Sequence, residues 1–151
     1  MMSPVGVLGI RCDAHSLFGI QFLSAGEPLS VAACELSELV CWQLAEYFTD
    51  AQFKFELPLA DVGTLHQRKV WGALCAIPSG AVRTYGDLAI ELHSSAQAVG
   101  QACGANRIPI VIPCHRVLAK TGIGGFMHQR QGAELEIKNW LLHHEKYSIT
   151  G

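Results

Sequence analysis

The chain has 151 residues, half of them hydrophobic and 16% charged, with a formal charge of −2 at pH 7. That length suits one domain or two small ones, and that composition can bury a sizeable core and excludes a disordered chain. The six cysteines, at positions 12, 34, 41, 75, 103 and 114, show no CxxC pair, so they fit a reducing compartment better than a disulfide framework.

No apolar run approaches the ~20 residues that span a bilayer. No basic segment followed by an apolar core opens the chain, so no secretory signal is expected and a cytoplasmic location is. Charge is uneven. Residues 1–63 carry two basic and eight acidic side chains, a net of −6, whereas residues 64–151 carry nine and five, a net of +4. A positive half is expected of a nucleic-acid binder, although two solvated surfaces would look the same.

Val5 to Ile10 and Leu17 to Leu23 read as two short strands, with the turn formers Cys12-Asp13-Ala14-His15-Ser16 between them, hence a hairpin. Cys12 and His15 offer two metal ligands, but a zinc site needs about four, so a turn is the simpler reading. From Ala33 to Phe48, Leu36, Val40, Leu44, Tyr47 and Phe48 recur at helical spacing, with Glu35, Glu38 and Glu46 largely opposite; this is an amphipathic helix. Phe53, Phe55, Leu57 and Leu59 alternate strictly, which predicts a half-buried strand. Residues 1–62 therefore read as a small α+β domain of one helix on a short sheet, and Pro58 to Gly63 marks its boundary with a second domain, 63–151.

The second half is mainly helical in character. Thr64 can cap a helix carrying Val70, Trp71, Leu74 and Cys75, which Pro78-Ser79-Gly80 stops. Thr84-Tyr85-Gly86-Asp87 has the spacing of a capping box, with Asp in place of the usual Glu or Gln. It opens a short helix through Leu92. Ser94-Ser95 can cap the next, Ala96 to Cys103. Two short helices joined by about three residues are consistent with a helix-turn-helix. The small residues of Ala96-Gln97-Ala98-Val99-Gly100 permit close helix packing, and equally permit close approach to a DNA groove.

Ile108-Pro109-Ile110-Val111-Ile112 is a short apolar run rich in β-branched residues and reads as a buried extended segment. Pro113 ends it, and Cys114, His115 and Arg116 follow. A thiol beside cationic neighbours can have its thiolate favoured, and the thiolate is the reactive form; a buried structural cysteine fits the same residues. Ala133 to Glu145 forms the last helix, with Ile137, Trp140, Leu141 and His144 on one face. Glu145 sits where the helix dipole disfavours an acid, which would make sense if the carboxylate had a partner elsewhere.

Pro113-Cys114-His115-Arg116-Val117 resembles the active-site motif of the O6-alkylguanine-DNA alkyltransferases, the methylated-DNA–protein-cysteine methyltransferases. Trp71, Ile77-Pro78-Ser79-Gly80, Thr84-Tyr85-Gly86, Ala98-Val99-Gly100, Asn106, Gly124-Gly125-Phe126 and Lys138-Asn139-Trp140-Leu141-Leu142 fall in that family's order. The resemblance covers roughly Gly63 to Glu145 and is looser before it. It implies a DNA-repair protein that moves an alkyl group from O6-alkylguanine, with O4-alkylthymine as a further substrate, irreversibly to its own cysteine. Each molecule acts once, as a monomer on double-stranded DNA, near the nucleoid if bacterial, and without metal or organic cofactor.

By the same resemblance Cys114 is the nucleophile, His115 its base through a water, and Glu145 the group that orients His115. Tyr85 donates a proton to the departing base, and Asn106 supports the segment leading to Cys114. Arg116 is given no catalytic role. Thr84, Tyr85, Ala96, Gln97, Ala98 and Gly100 would contact DNA, with the recognition helix in the minor groove and the target base flipped out. Val117, Gly125, Phe126 and Met127 would line the alkyl and base pocket.

Two departures stand out. Gln97 occupies a position where the family generally has arginine, and Met127-His128-Gln129-Arg130-Gln131-Gly132 replaces a shorter segment. An alkyltransferase-like protein that flags lesions without repairing them is the alternative, but those relatives lack the cysteine found here as Cys114. A Cys-His-Glu hydrolase is a second alternative. It would need an oxyanion hole and would turn over.

Overall fold

Strands β1 (Met2–Ser3), β2 (Gly6–Cys12) and β3 (Leu17–Leu23) pair antiparallel in that order. Gly6 supplies the positive φ, 105°, between the first two. Between β2 and β3 the Asp13 carboxylate accepts hydrogen bonds from the backbone N–H of His15 and Ser16, both 2.8 Å, which closes the turn locally. The computed structural model describes residues 1–24, 26, 34–120 and 133–146. Within them, helix α1 (Glu35–Thr49) buries Leu36, Val40, Leu44 and Tyr47, and Val7, Leu8, Leu17 and Ile20 of the hairpin are buried as well. Together with Met1–Asp61, the short stretch Arg107–Pro109 makes up one compact unit; the rest of the chain forms a second.

Residues 53–59 do not form the strand that their alternation predicts. Burial does alternate along them, but the pairing is one isolated parallel bridge between Leu17 and Leu59. The backbone of Glu56 is satisfied by a side chain instead. Gln43 Nε2 donates to its carbonyl at 3.0 Å, and its N–H donates to Gln43 Oε1 at 2.9 Å. A buried amide takes the place of a neighbouring strand, so the period-two pattern survives without a ladder.

In the second unit, helix α2 (Leu65–Cys75) opens on a capping box between Thr64 and Gln67 and buries Val70 and Leu74. Strand β4 (Arg83–Thr84) leads into α3 (Tyr85–Glu91), whose N-terminus is closed by Thr84 and Asp87 in reciprocal hydrogen bonds of 3.0 and 3.1 Å. Helix α4 (Ala96–Gly104) is capped by Ser95 and buries Val99, Ala102 and Cys103. Trp71 ties α2 to α4 by donating its indole N–H to the Ala102 carbonyl at 2.9 Å. Mixed α+β architecture therefore holds throughout, with the sheet early and helices predominating later.

Two sequence expectations in this unit need correction. The run before Cys114 is buried but is not extended: residues 108–112 lie in turns and a bend, and Ile110 has φ of 75°. Pro109 and Pro113 have no N–H to give a ladder. The last helix, α5 (Ala133–His144), turns inward Lys138, Leu141 and Leu142. Trp140 and His144 are half-buried and stack on each other at 4.8 Å rather than sharing that core stripe.

Candidate active site

Pro113, at φ −81° and ψ 67°, is the centre of a tight turn in which the Cys114 N–H donates to the Ile112 carbonyl at 2.8 Å. These are the angles of an inverse γ-turn. The same carbonyl accepts Asn106 Nδ2 at 2.9 Å, and the Asn106 side chain also hydrogen-bonds the Cys114 thiol. Asn106 is fully buried, so one amide pins both the turn and the sulfur. A 3-10 turn, Cys114–Arg116, follows. It passes into strand β5 (Val117–Leu118), which pairs parallel with β4.

That single turn sends three side chains different ways. Cys114 and His115 are buried. His115 Nε2 lies 2.8 Å from Glu145 Oε2, and neither side chain has appreciable solvent contact. Arg116 reaches the same carboxylate with Nε on Oε1 and Nη2 on Oε2 and donates Nη1 to the Ile77 carbonyl, two residues past α2. Glu145 is one residue past α5, its N–H still bonded to the Leu141 carbonyl. Burial opposes its ionisation, but the hydrogen bonds and charges of His115 and Arg116 outweigh that and hold the carboxyl well below the usual carboxylate range.

An ionised Glu145 sets the state of His115. The carboxylate can only accept, so Nε2 carries the hydrogen and Nδ1 keeps its lone pair. Nδ1 is buried and has no hydrogen-bond partner among the described residues. Burial pushes the imidazole below its ordinary pKa, with Glu145 opposing. At neutral pH the ring is therefore an uncharged base with a free lone pair.

The thiol is not the pre-formed thiolate that its cationic neighbours suggest. Burial pushes Cys114 up to about 11, against the hydrogen bond from Asn106 and the charge of Lys138. Arg116 is occupied by Glu145, so the nearby cation that helps the sulfur is Lys138. Lys138 is fully buried, donates Nζ to the Val117 carbonyl at 2.8 Å, and is itself pushed down to about 8 by burial. The residue reading missed Lys138, though a signal was there: positions 138, 141, 142 and 145 share one helical face, and a lysine on an apolar stripe asks for a buried partner.

The other expected site residues are distributed as follows. Tyr85 is the first residue of α3 and is half-buried. The Thr84 hydroxyl is used as the α3 cap. On α4, Ala96 and Gln97 are exposed, and Ala98 and Gly100 are half-buried. A Cβ added at Gly100 would meet nothing within 4 Å, so internal packing does not require glycine there. Val117 is fully buried. Gly125, Phe126 and Met127, and the loop that follows them, lie outside the described residues.

Residues 65–147 match the family described as 6-O-methylguanine DNA methyltransferase, DNA binding domain. The chain is 44% identical over 109 residues to the constitutive methylated-DNA–protein-cysteine methyltransferase of Bacillus subtilis, a match covering 70% of this chain and 64% of that protein, a little under two thirds of the relative's length. Against the methylated-DNA–protein-cysteine methyltransferase of Methanosarcina barkeri it is 33% identical over 155 residues, covering 97% of this chain and 95% of that one. The crystal structure of Mycobacterium tuberculosis OGT in complex with DNA is similar with a TM-score of 0.78 at 30% identity, covering 97% of this chain and 90% of that one.

Proposed function

The chain belongs to the 6-O-methylguanine DNA methyltransferase family, and from that membership we propose that it repairs double-stranded DNA by moving an alkyl group from O6-alkylguanine, and from O4-alkylthymine, onto its own Cys114. The observation that carries the reading is the buried chain of groups from Cys114 through His115 to Glu145 and Arg116, with His115 held in the tautomer that leaves Nδ1 free.

The chemistry needs that base. With the thiol near 11, forming the thiolate at pH 7 costs about 5 kcal/mol. His115 Nδ1 takes the proton through one water, and the ionised Glu145 stabilises the imidazolium that results. The sulfur then attacks the alkyl carbon, the carbon–oxygen bond to the base breaks, and Tyr85 protonates the departing guanine. The product thioether has no hydrolytic route back to a thiol, so each molecule acts once. A resting thiol with a raised pKa also limits side reactions before a substrate arrives.

Helices α3 and α4 supply the DNA contact. Thr84, Tyr85, Ala96, Gln97, Ala98 and Gly100 face the minor groove, and the lesion is flipped into the site. The open space over Gly100 supports this, since a side chain there would obstruct an outside partner rather than the fold. Among the described residues no helix is long and apolar enough to cross a membrane. The protein works in the cytoplasm, at the nucleoid in a bacterial cell.

Intact-protein and peptide mass spectrometry after exposure to O6-methylguanine duplex tests the reading. The expected result is one stable methyl group per molecule, on Cys114, with Cys114→Ala unmodified yet still bound to duplex. Binding without any mass change would mean a lesion-flagging protein. Continued product release would mean a hydrolase.

A further inference from the structure

Two further thiols lie in the first unit, away from any role in alkyl transfer. Cys12 ends β2, at the irregularity where the β2–β3 register shifts. Cys34 is the N-cap residue of α1. Cys34 Sγ is 3.9 Å from the carbonyl oxygen of Asp13, the residue after Cys12, so the two cysteines are neighbours in the fold. The Ser37 hydroxyl braces the Cys34 backbone, accepting its N–H at 3.0 Å and donating to its carbonyl at 2.8 Å. The segments that carry the two sulfurs are thus both held in place: one by a strand ladder, the other by a helix cap.

We propose that Cys34 and Cys12 form a hydroperoxide-responsive pair, in which Cys34 is oxidised and Cys12 then closes an intramolecular disulfide between the start of α1 and the end of β2. In the first step the Cys34 thiolate attacks one oxygen of hydrogen peroxide. The oxygen–oxygen bond breaks and hydroxide leaves; the sulfur is oxidised to a sulfenic acid and the peroxide is reduced. In the second, Cys12 attacks the sulfenic sulfur, and the hydroxyl leaves with the Cys12 proton as water. Two thiols and one peroxide give one disulfide and two waters.

Differences in environment make Cys34 the entry point. The Ser37 backbone N–H, facing its sulfur at the helix N-terminus, pulls its thiol below the ordinary value, whereas burial raises Cys12 and Cys41. The acceptor thiol Cys114 is buried and near 11. With its thiol drawn down at the start of the helix, Cys34 therefore reacts with peroxide ahead of Cys114, whose thiol is buried. The pair would thus take up oxidant while Cys114 stays reduced.

The test treats the full-length protein with one equivalent of hydrogen peroxide, traps free thiols, and maps peptides without reduction. The expected result is a loss of 2 Da, a Cys12–Cys34 linked peptide, reversal by dithiothreitol, and Cys114 still free. Cys12→Ser should leave Cys34 as a trappable sulfenic acid. Cys34→Ser, which retains a favoured N-cap residue and so keeps the helix start, should prevent the loss of 2 Da. Oxidation of Cys114 before Cys34, or linkage of Cys34 to Cys41, would overturn the proposal. So would a Cys34 no faster than Cys75. The peptide map is independent of alkyl transfer, so failure of the repair reading would leave this result standing.

Discussion

Arg116 grips Glu145 with two parallel hydrogen bonds, Nε to Oε1 and Nη2 to Oε2, each 2.9 Å long. A planar guanidinium matches a carboxylate in this fork as no lysine could. The consequence reaches the neighbouring residue: an acid kept ionised by Arg116 fixes the hydrogen of His115 on Nε2. Arg116 thus acts on His115 through Glu145.

Glu145→Gln should disrupt both stability and rate. It leaves a largely buried guanidinium without its counter-charge, which costs about 3–5 kcal/mol. It also removes the charge that favours imidazolium, so methyl transfer should slow by roughly 100-fold. Urea unfolding and single-turnover transfer rates measure the two effects. A stability change below about 1 kcal/mol would show that the fork is not a net contributor.

Stability should fall in acid, in two stages. His115 is held below its ordinary 6.5 by burial, so below that pH the unfolded chain takes up a proton that the folded chain resists. Glu145 is held below its ordinary 4.5 by His115 and Arg116, which outweigh burial; its contribution is present above 4.5 and is lost as pH falls through the folded value. In both cases the unfolded state binds more protons, so stability rises from acid to neutral pH. Urea titrations between pH 4 and 7 should show this slope, and His115→Gln should flatten the part just below pH 6.5. An unchanged slope in that variant would assign the upper stage to another group.

Lys138→Met keeps the length of the side chain but removes its charge and its bond to the Val117 carbonyl. The Lys138 charge lowers both Cys114 and Cys103, although burial and Cys114 still hold the latter up at about 12. The variant should therefore shift the pH profile of Cys114 alkylation to higher pH and slow transfer at neutrality. A lower rate with an unmoved profile would point to packing instead.

Gln97 is exposed near the start of α4. If this helix enters the groove, Gln97→Arg should tighten duplex binding and speed repair, because a charged donor replaces a neutral one. Its salt dependence should steepen by about one phosphate contact. Transfer from free O6-benzylguanine, where no base is flipped, should change far less. Duplex affinity and repair rate that ignore both Gln97→Arg and Gln97→Ala would remove Gln97 from the interface.

Much of the local structure was legible because it rests on short-range chemistry. The caps at Thr64, Thr84 and Ser95, the hairpin turn at Asp13 and the amphipathic face of α1 each depend on residues a few positions apart. The motif around Cys114 was legible for another reason, since it and the segments around it resemble those of a known family. Periodicity misled where backbone groups found partners outside the local chain. Residues 53–59 alternate like a strand, yet Glu56 is bonded by the Gln43 amide, 13 residues earlier. The apolar run before Cys114 was legible as buried but not as bent, since its turn is held by Asn106 and by the angles of Pro113.

By itself, then, the sequence determined which segments are helical, where most of them begin, and which cysteine stands in the family's motif. Only the tertiary structure decided the state of that cysteine. Cys114 stays a thiol because its burial outweighs the nearby Lys138 charge, and His115 stays a neutral base because Arg116 keeps Glu145 ionised. Burial and charge pairing depend on residues 24 to 30 positions away, such as Lys138 and Glu145, and the energy of a buried charge is set by what surrounds it in space rather than by what precedes it in the chain.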